Sequence, residues 1–154
     1  MKYEKIYAPV KGFTKDITTC KDQVFAEKIV GDGIVINPAN KIIKSPCKGK
    51  INQIFKTNHA FTIIDEYGTE ILIHLGIDTV ELNGSGFKRL ISNINQTIDI
   101  GEPIIEMDLD YISSKNKSTD IIIIISDSNQ NYKIKKVLNK EVDYQDYIFK
   151  YKKK

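Results

Sequence analysis

Glycine and proline punctuate this chain so often that little of it is left free to form a long helix. Pro9, Gly12, Gly31, Gly33, Pro38, Pro46, Gly49, Gly68, Gly76, Gly84, Gly86 and Gly101 recur every several residues, and each interrupts a helix or supports a turn. Between them lie Ile34–Ile36, Ile51–Phe55, Phe61–Asp65, Glu70–Leu75, Ile104–Met107 and Ile121–Ile125, short segments rich in Ile, Val, Phe and Tyr. Apolar or alternating segments at this spacing read as an antiparallel sandwich or barrel. The run Ile121–Ile125 has the length of a buried strand and ends in a turn composition, Ser126-Asp127-Ser128-Asn129. Phe87–Ile91 and Leu109–Lys115 contain neither Gly nor Pro and are read as short helices. No linker divides the 154 residues, so the expectation is one all-β domain over residues 1–154 with one or two short helices.

An internal echo refines that picture. Ala8-Pro9-Val10-Lys11-Gly12 is matched by Ser45-Pro46-Cys47-Lys48-Gly49, and a segment with apolar alternation follows each. Two copies are too few for a solenoid, but they suit a sheet built from two related halves, hence internal quasi-symmetry.

Composition removes several function classes. No run approaches the ~20 apolar residues of a membrane span, and Met1–Lys5 lacks the apolar core of a signal peptide. Cys20 and Cys47 make neither a disulfide framework nor a CxxC pair, so a reducing cytoplasm is expected. Net charge is +3; the basic residues are scattered apart from Lys152–Lys154, which is read as a solvated end rather than a nucleic-acid or membrane anchor. Gly31-Asp32-Gly33 and Gly84-Ser85-Gly86 lack the rest of a phosphate-loop or dinucleotide fingerprint and are read as turns.

Chemistry falls to the two histidines, His59 and His74. Glu66-Tyr67-Gly68 reads as a turn between their segments, and a hairpin with its tip at Tyr67 makes the two histidines close cross-strand neighbours. A neutral imidazole is a nucleophile at cellular pH, and a second ring can donate a hydrogen bond to a phosphoryl oxygen. The same pair could bind zinc, with Asp78 as a third ligand. A histidine inside an apolar run such as Ile71–Leu75 is also commonly a satisfied core side chain. Spacing alone leaves these three readings open.

Longer motifs carry more information. Val24–Gly33, Ile54–Phe61, Ile73–Leu82 (Ile-His-Leu-Gly-Ile-Asp-Thr-Val-Glu-Leu), Gly84–Arg89 and Lys117-Ser118-Thr119 resemble, in that order, the glucose-class enzyme IIA proteins of the sugar phosphotransferase system. The resemblance runs from about Ile6 to the C-terminus. It implies an antiparallel β-sandwich with barrel-like character, and a relay activity without a required cofactor. In that relay the phosphocarrier protein HPr passes a phosphoryl group to His74, which passes it to a cysteine on the IIB domain of a sugar permease. By the same resemblance, His74 reacts through Nε2 with Nδ1 held by the Gly76 carbonyl. His59 assists the phosphoryl group and is oriented by the Thr57 hydroxyl. Phe25, Phe55 and Val80 form an apolar apron for partners, with Asp22 and Asp78 near its rim.

The start at Met1 leads to the expectation of a separate soluble protein without the N-terminal tail often found in the family, and a monomer is expected. Its charge of +3 contrasts with the acidic members. A zinc-dependent hydrolase on a related sandwich is the alternative, but it requires an HxH pair that is absent. A biotinyl or lipoyl carrier requires a Met-Lys-Met tip that is absent too. Zinc at His59 and His74, completed at a partner interface, is the one metal role considered.

Overall fold

The segments between turn signals become strands because sheet pairing satisfies their backbone groups while alternate side chains reach a core. The computed structural model describes residues 2–126 and 131–154, so Asp127, Ser128 and Asn129 of the expected turn lie outside the described residues. The strands are β1 Glu4–Tyr7, β2 Gly12–Asp16, β3 Gly31–Pro38, β4 Ile42–Lys44, β5 Gly49–Ile54, β6 Ala60–Asp65 and β7 Glu70–Leu75. They continue with β8 Phe87–Arg89, β9 Thr97–Ile98, β10 Pro103–Met107, β11 Ile121–Ser126, β12 Tyr132–Lys136, β13 Glu141–Val142 and β14 Tyr147–Lys153. Two short helices, α1 Gln23–Ala26 and α2 Leu109–Ser114, complete the fold with two 3-10 turns.

An eight-stranded sheet has the order β13-β2-β3-β11-β7-β6-β5-β9, and two three-stranded sheets, β1-β14-β12 and β4-β10-β8, accompany it. The large sheet keeps two edges, β13 and β9, so the architecture is an open antiparallel sandwich and not a closed barrel. One expected helix is corrected. Phe87–Arg89 is a strand, pairing Phe87 with Met107, Lys88 with Glu106 and Arg89 with Ile105. Five residues without Gly or Pro permit a helix but do not nucleate one, and the open ladder edge of β10 supplies partners instead.

Both faces of the large sheet are covered, which is why Ile121–Ile125 is a continuous apolar run, every residue fully buried. Ile34, Ile36, Phe61, Ile63, Ile71, Ile73, Ile121 and Ile123 pack toward the small sheets with Ile6, Ile105 and Phe149. Val35, Ala60, Leu72, Ile122 and Ile124 point the other way, under Ile17, Cys20, Phe25 and Ile77.

The Pro–Gly echo is a true structural repeat. Gly12 is paired to β13 and β3, and Gly49 is paired to β9 and β6, at corresponding places either side of the central β7–β11 pair. The two motifs also bond each other reciprocally. Lys44 N–H donates to the Pro9 carbonyl and Tyr7 N–H donates to the Pro46 carbonyl, both at 2.8 Å. Ala8 N–H reaches the Asp146 carbonyl at 2.9 Å as Ser45 N–H reaches that of Glu102 at 2.8 Å.

Close strand approach explains the glycines: a Cβ would lie 2.2 Å from the Asn37 carbonyl oxygen at Gly12 and 2.1 Å from that of Ile64 at Gly49. Because the obstacle is backbone, Gly49→Ala must push β5 from β6. We expect it to cost about 1–3 kcal/mol, read as a lowered urea midpoint. Gly12→Ala should cost a similar amount by the repeat, and an unchanged midpoint in both would contradict the repeat as described.

Candidate functional site

The hairpin that positions the histidines is present, with a register one residue away from the expected one. β6 and β7 pair Ala60 with His74, Phe61 with Ile73 and Ile63 with Ile71. His59 therefore precedes the ladder, and its carbonyl accepts the Leu75 N–H at 2.7 Å. Strict alternation would send His59 and His74 to opposite faces. The chain escapes that rule in the turn at 56–59, where Asn58 has φ of 58° and bonds back to the Phe55 carbonyl. The rings end 5.1 Å apart between centroids, at 81° to one another.

His74 projects from the central strand on the face shared with Ala60 and Ile122. Its Nδ1 lies 2.9 Å from the Gly76 carbonyl oxygen. A carbonyl only accepts, so Nδ1 carries a proton and the neutral ring keeps its lone pair on Nε2. Gly76 is held from both sides: its N–H donates to the Asp120 carbonyl at 2.9 Å, and the following Ile77 N–H donates to that of Ser118 at 3.1 Å. Only glycine suits the place. Its φ is 84°, and a Cβ would lie 2.4 Å from Thr79 Cγ2 and 2.8 Å from the Ser118 carbonyl oxygen.

His59 is 6% exposed, and Thr57 Oγ1 lies 2.5 Å from its Nδ1. Phe25 lies 5.0 Å from the His74 ring and Phe55 lies 5.4 Å from the His59 ring, so each imidazole has one aromatic flank. Phe25 reaches His74 because the β2–β3 connection folds back over the sheet, and α1 there is capped by the Asp22 carboxylate accepting the Val24 N–H at 3.0 Å.

Burial pushes the His59 pKa down to about 4, with the neighbouring His74 charge adding to the shift. Burial also lowers that of His74, against the opposing pull of the Gly76 carbonyl and of the Asp22 and Asp78 carboxylates. Both rings are consequently neutral at neutral pH. Asp78 sits in the left-handed region, φ 59°, where β7 gives way to the 3-10 turn Thr79–Leu82.

The expected surface residues divide in two. Phe25 is buried and Phe55 partly so, whereas Val80 is half exposed. Val24 and Ile29, beside Phe25 in sequence, are exposed apolar side chains that sequence reasoning did not single out. It also missed two supports. Arg89 donates through Nε and Nη2 to Asn58 Oδ1, at 3.1 and 2.9 Å, steadying the turn that carries His59. Asp120, whose carbonyl holds Gly76, is itself gripped by Lys15 Nζ and Asn37 Nδ2, each at 3.0 Å. Arg89 stood inside a recognised motif; nothing local in the sequence points to Asp120.

Among the described residues, no group of three or more His, Cys, Asp or Glu side chains could hold a metal ion. Asp78 does not complete a zinc site with the two histidines. A concavity of about 630 Å³, bordered by Tyr3, Tyr7, Asp65, Tyr67 and Tyr144, lies at the opposite end of the β6–β7 hairpin. The histidines do not line it.

Comparison with known proteins identifies the family. The family model for the phosphoenolpyruvate-dependent sugar phosphotransferase system, EIIA 1, matches residues 4–131. A glucose-specific EIIA component from Buchnera aphidicola is 45% identical over 88% of this chain and 83% of its own length. An N-acetylglucosamine-specific EIICBA component of Escherichia coli is 46% identical over 74% of this chain, a match that covers 17% of that longer protein. Among solved structures, the glucose permease IIA from Mycoplasma capricolum superposes with a TM-score of 0.89 at 33% identity, covering 97% of this chain and 96% of that one. This chain therefore belongs to the EIIA 1 family of phosphoenolpyruvate-dependent sugar phosphotransferase systems, whose members are phosphotransferase components that carry a phosphoryl group in sugar uptake.

Proposed function

We propose that His74 is the residue that carries the phosphoryl group and that His59 is its assistant. One observation carries this reading: the Gly76 carbonyl holds Nδ1 of His74 and leaves Nε2 as the nucleophile beside a second imidazole. The donor is HPr, phosphorylated on its own histidine. Its P–N bond breaks as a bond forms between phosphorus and Nε2 of His74, while Nδ1 keeps its proton. In the second transfer that P–N bond breaks and a P–S bond forms on a IIB cysteine. Nothing is oxidised, and no cofactor is required.

Phosphoryl transfer is assisted mainly by position and charge. The Thr57 hydroxyl, donating to Nδ1 of His59, leaves the Nε2–H of that ring to donate to a phosphoryl oxygen. Val80, Val24 and Ile29 offer apolar contact around this centre, while the Phe25 and Phe55 rings hold the imidazoles from behind. Asp22 and Asp78 favour the charge that develops on His74. A IIB acceptor is supported by the Escherichia coli relative, which joins its A part to C and B parts in one chain. The protein acts in the cytoplasm as a monomer, where its free thiols Cys20 and Cys47 stay reduced.

Incubation with phosphoenolpyruvate, enzyme I and HPr is expected to add one acid-labile phosphoryl group, measured by intact mass. His74→Gln should accept none. His59→Gln should still accept, but pass the group to IIB on the order of 10²–10³ times more slowly. Phosphorylation of His74→Gln would refute the assignment.

The pKa of His59 sets a second expectation. It is about 4 when folded and about 6.5 when unfolded. Between those values the unfolded chain binds a proton that the folded chain refuses, so stability is retained above the upper value and declines as pH falls toward the lower. Urea midpoints measured at several pH values across that window should fall less steeply for His59→Gln than for the parent, and equal slopes would contradict the buried neutral ring.

A further inference from the structure

In the sequence, most lysines look scattered; strand pairing gathers five of them onto one face. Across the sheet β1-β14-β12, Lys5 is opposite Lys150 and Lys150 is opposite Lys135, while Lys152 is opposite Lys133. Paired residues share a face, so all five ammonium groups stand on the outer side of this sheet. Tyr3 and Tyr147 stand among them. Lys135, Lys150 and Lys152 approach the Tyr3 ring at 4.9, 5.4 and 4.8 Å from its centroid, and Lys5 lies 5.3 Å from that of Tyr147. The one carboxylate in these strands, Glu4, pairs opposite the buried Tyr151 and so lies on the other side.

Contrast with Lys136 shows that the arrangement is selective. It projects inward from β12, where Asp16 and Asp32 both hold it at 2.8 Å. The outward lysines have no carboxylate in their own strands facing them, and like charges placed directly opposite oppose sheet formation. The chain carries +3 overall, so with these five lysines set aside the remainder stands at −2.

We propose that the outer face of β1-β14-β12 is a docking surface for an anionic lipid membrane. The charge calls for a polyanion, and the shape selects a broad, flat one. The Lys5–Lys150–Lys135 row spans about 10 Å, and alternate residues stand about 7 Å apart along each strand. Concavities flank this sheet at Lys5, but Lys133, Lys135, Lys150 and Lys152 line neither. A single nucleic-acid strand needs a groove and open ring faces for stacking. Here neither concavity runs along the row, and ammonium groups crowd both rings. Tyrosine also suits the headgroup level, with an apolar body and a polar tip.

Orientation completes the case. The inner side of this sheet, with Ile6, Phe149 and Tyr151, joins the core on one face of the large sheet, whereas Phe25 belongs to the opposite face, beside His74. A membrane held at the lysines leaves the histidines open to partners. This surface stands apart from the phosphoryl-transfer reading, because no lysine in it touches the histidine pair.

The test is sedimentation of the full chain with vesicles of phosphatidylcholine containing about one-third phosphatidylglycerol, against phosphatidylcholine alone. Binding to the anionic vesicles only, weakening as salt rises, is expected. Lys133→Gln/Lys135→Gln/Lys150→Gln should weaken it by on the order of a hundredfold, about fivefold per lysine, and still accept a phosphoryl group from HPr at the parent rate. That last readout confirms that the variant is folded. Four outcomes would overturn the proposal: no binding, equal binding to neutral vesicles, an unaffected triple variant, or tighter binding to an oligothymidylate than to the anionic vesicles.

Discussion

β7 and β11 lie side by side at the middle of the large sheet, and everything else is arranged around their pairing. The five isoleucines of β11 are fully buried because the small sheets cover one face and the α1 segment the other. Two halves of the chain continue outward from this pair in matching order, locked by the reciprocal bonds between the Pro9 and Pro46 segments. Burial on this scale supplies most of the driving force for the fold. It also gives the site a stiff floor, since His74 stands on the most protected strand pair.

That location explains the chemistry of His74. Its ring is oriented by a carbonyl that the backbone itself fixes, through Gly76, Ser118 and Asp120. His59 is placed differently, on a short turn that Arg89 steadies and with a hydroxyl at its Nδ1. The result is two imidazoles with unlike second partners. A carbonyl can only accept, so it determines the tautomer of His74; a hydroxyl can do either, which is compatible with the donor role proposed for His59. Burial keeps both neutral, and the nearby carboxylates make charging easier for His74 than burial alone would allow.

The two sides of the molecule are built for different contacts. In the segments that flank the histidines the apolar Val80, Val24 and Ile29 are exposed among charged side chains such as Asp78 and Glu81. On the far side of the sandwich the outward positions are cationic. Lys136 shows how the same residue type is treated when it points inward, where two carboxylates surround it.

Much of this was legible in the sequence. Turn punctuation and apolar runs located β3, β5, β6, β7, β10 and β11, because buried strands carry long apolar signals. The Pro–Gly echo announced the two-fold repeat, and the Tyr67 turn brought His59 close to His74. Among the strands that escaped were the short or lysine-rich β4, β8, β9, β12, β13 and β14, whose pairing depends on a neighbour already in place. The one-residue difference in hairpin register also escaped, because the bonding of the tip, where Asp65 N–H donates to the Thr69 carbonyl and Gly68 N–H to that of Asp65, decides it and composition does not. By itself, then, the sequence determined the class of fold and pointed to the two histidines on which the proposed chemistry rests, since hydrophobic pattern and residue type are local properties. Only the tertiary structure decided what props the site from behind, and that five lysines spread over 148 positions share one face. Those follow from pairing between distant segments, and nothing in a local stretch of sequence encodes them.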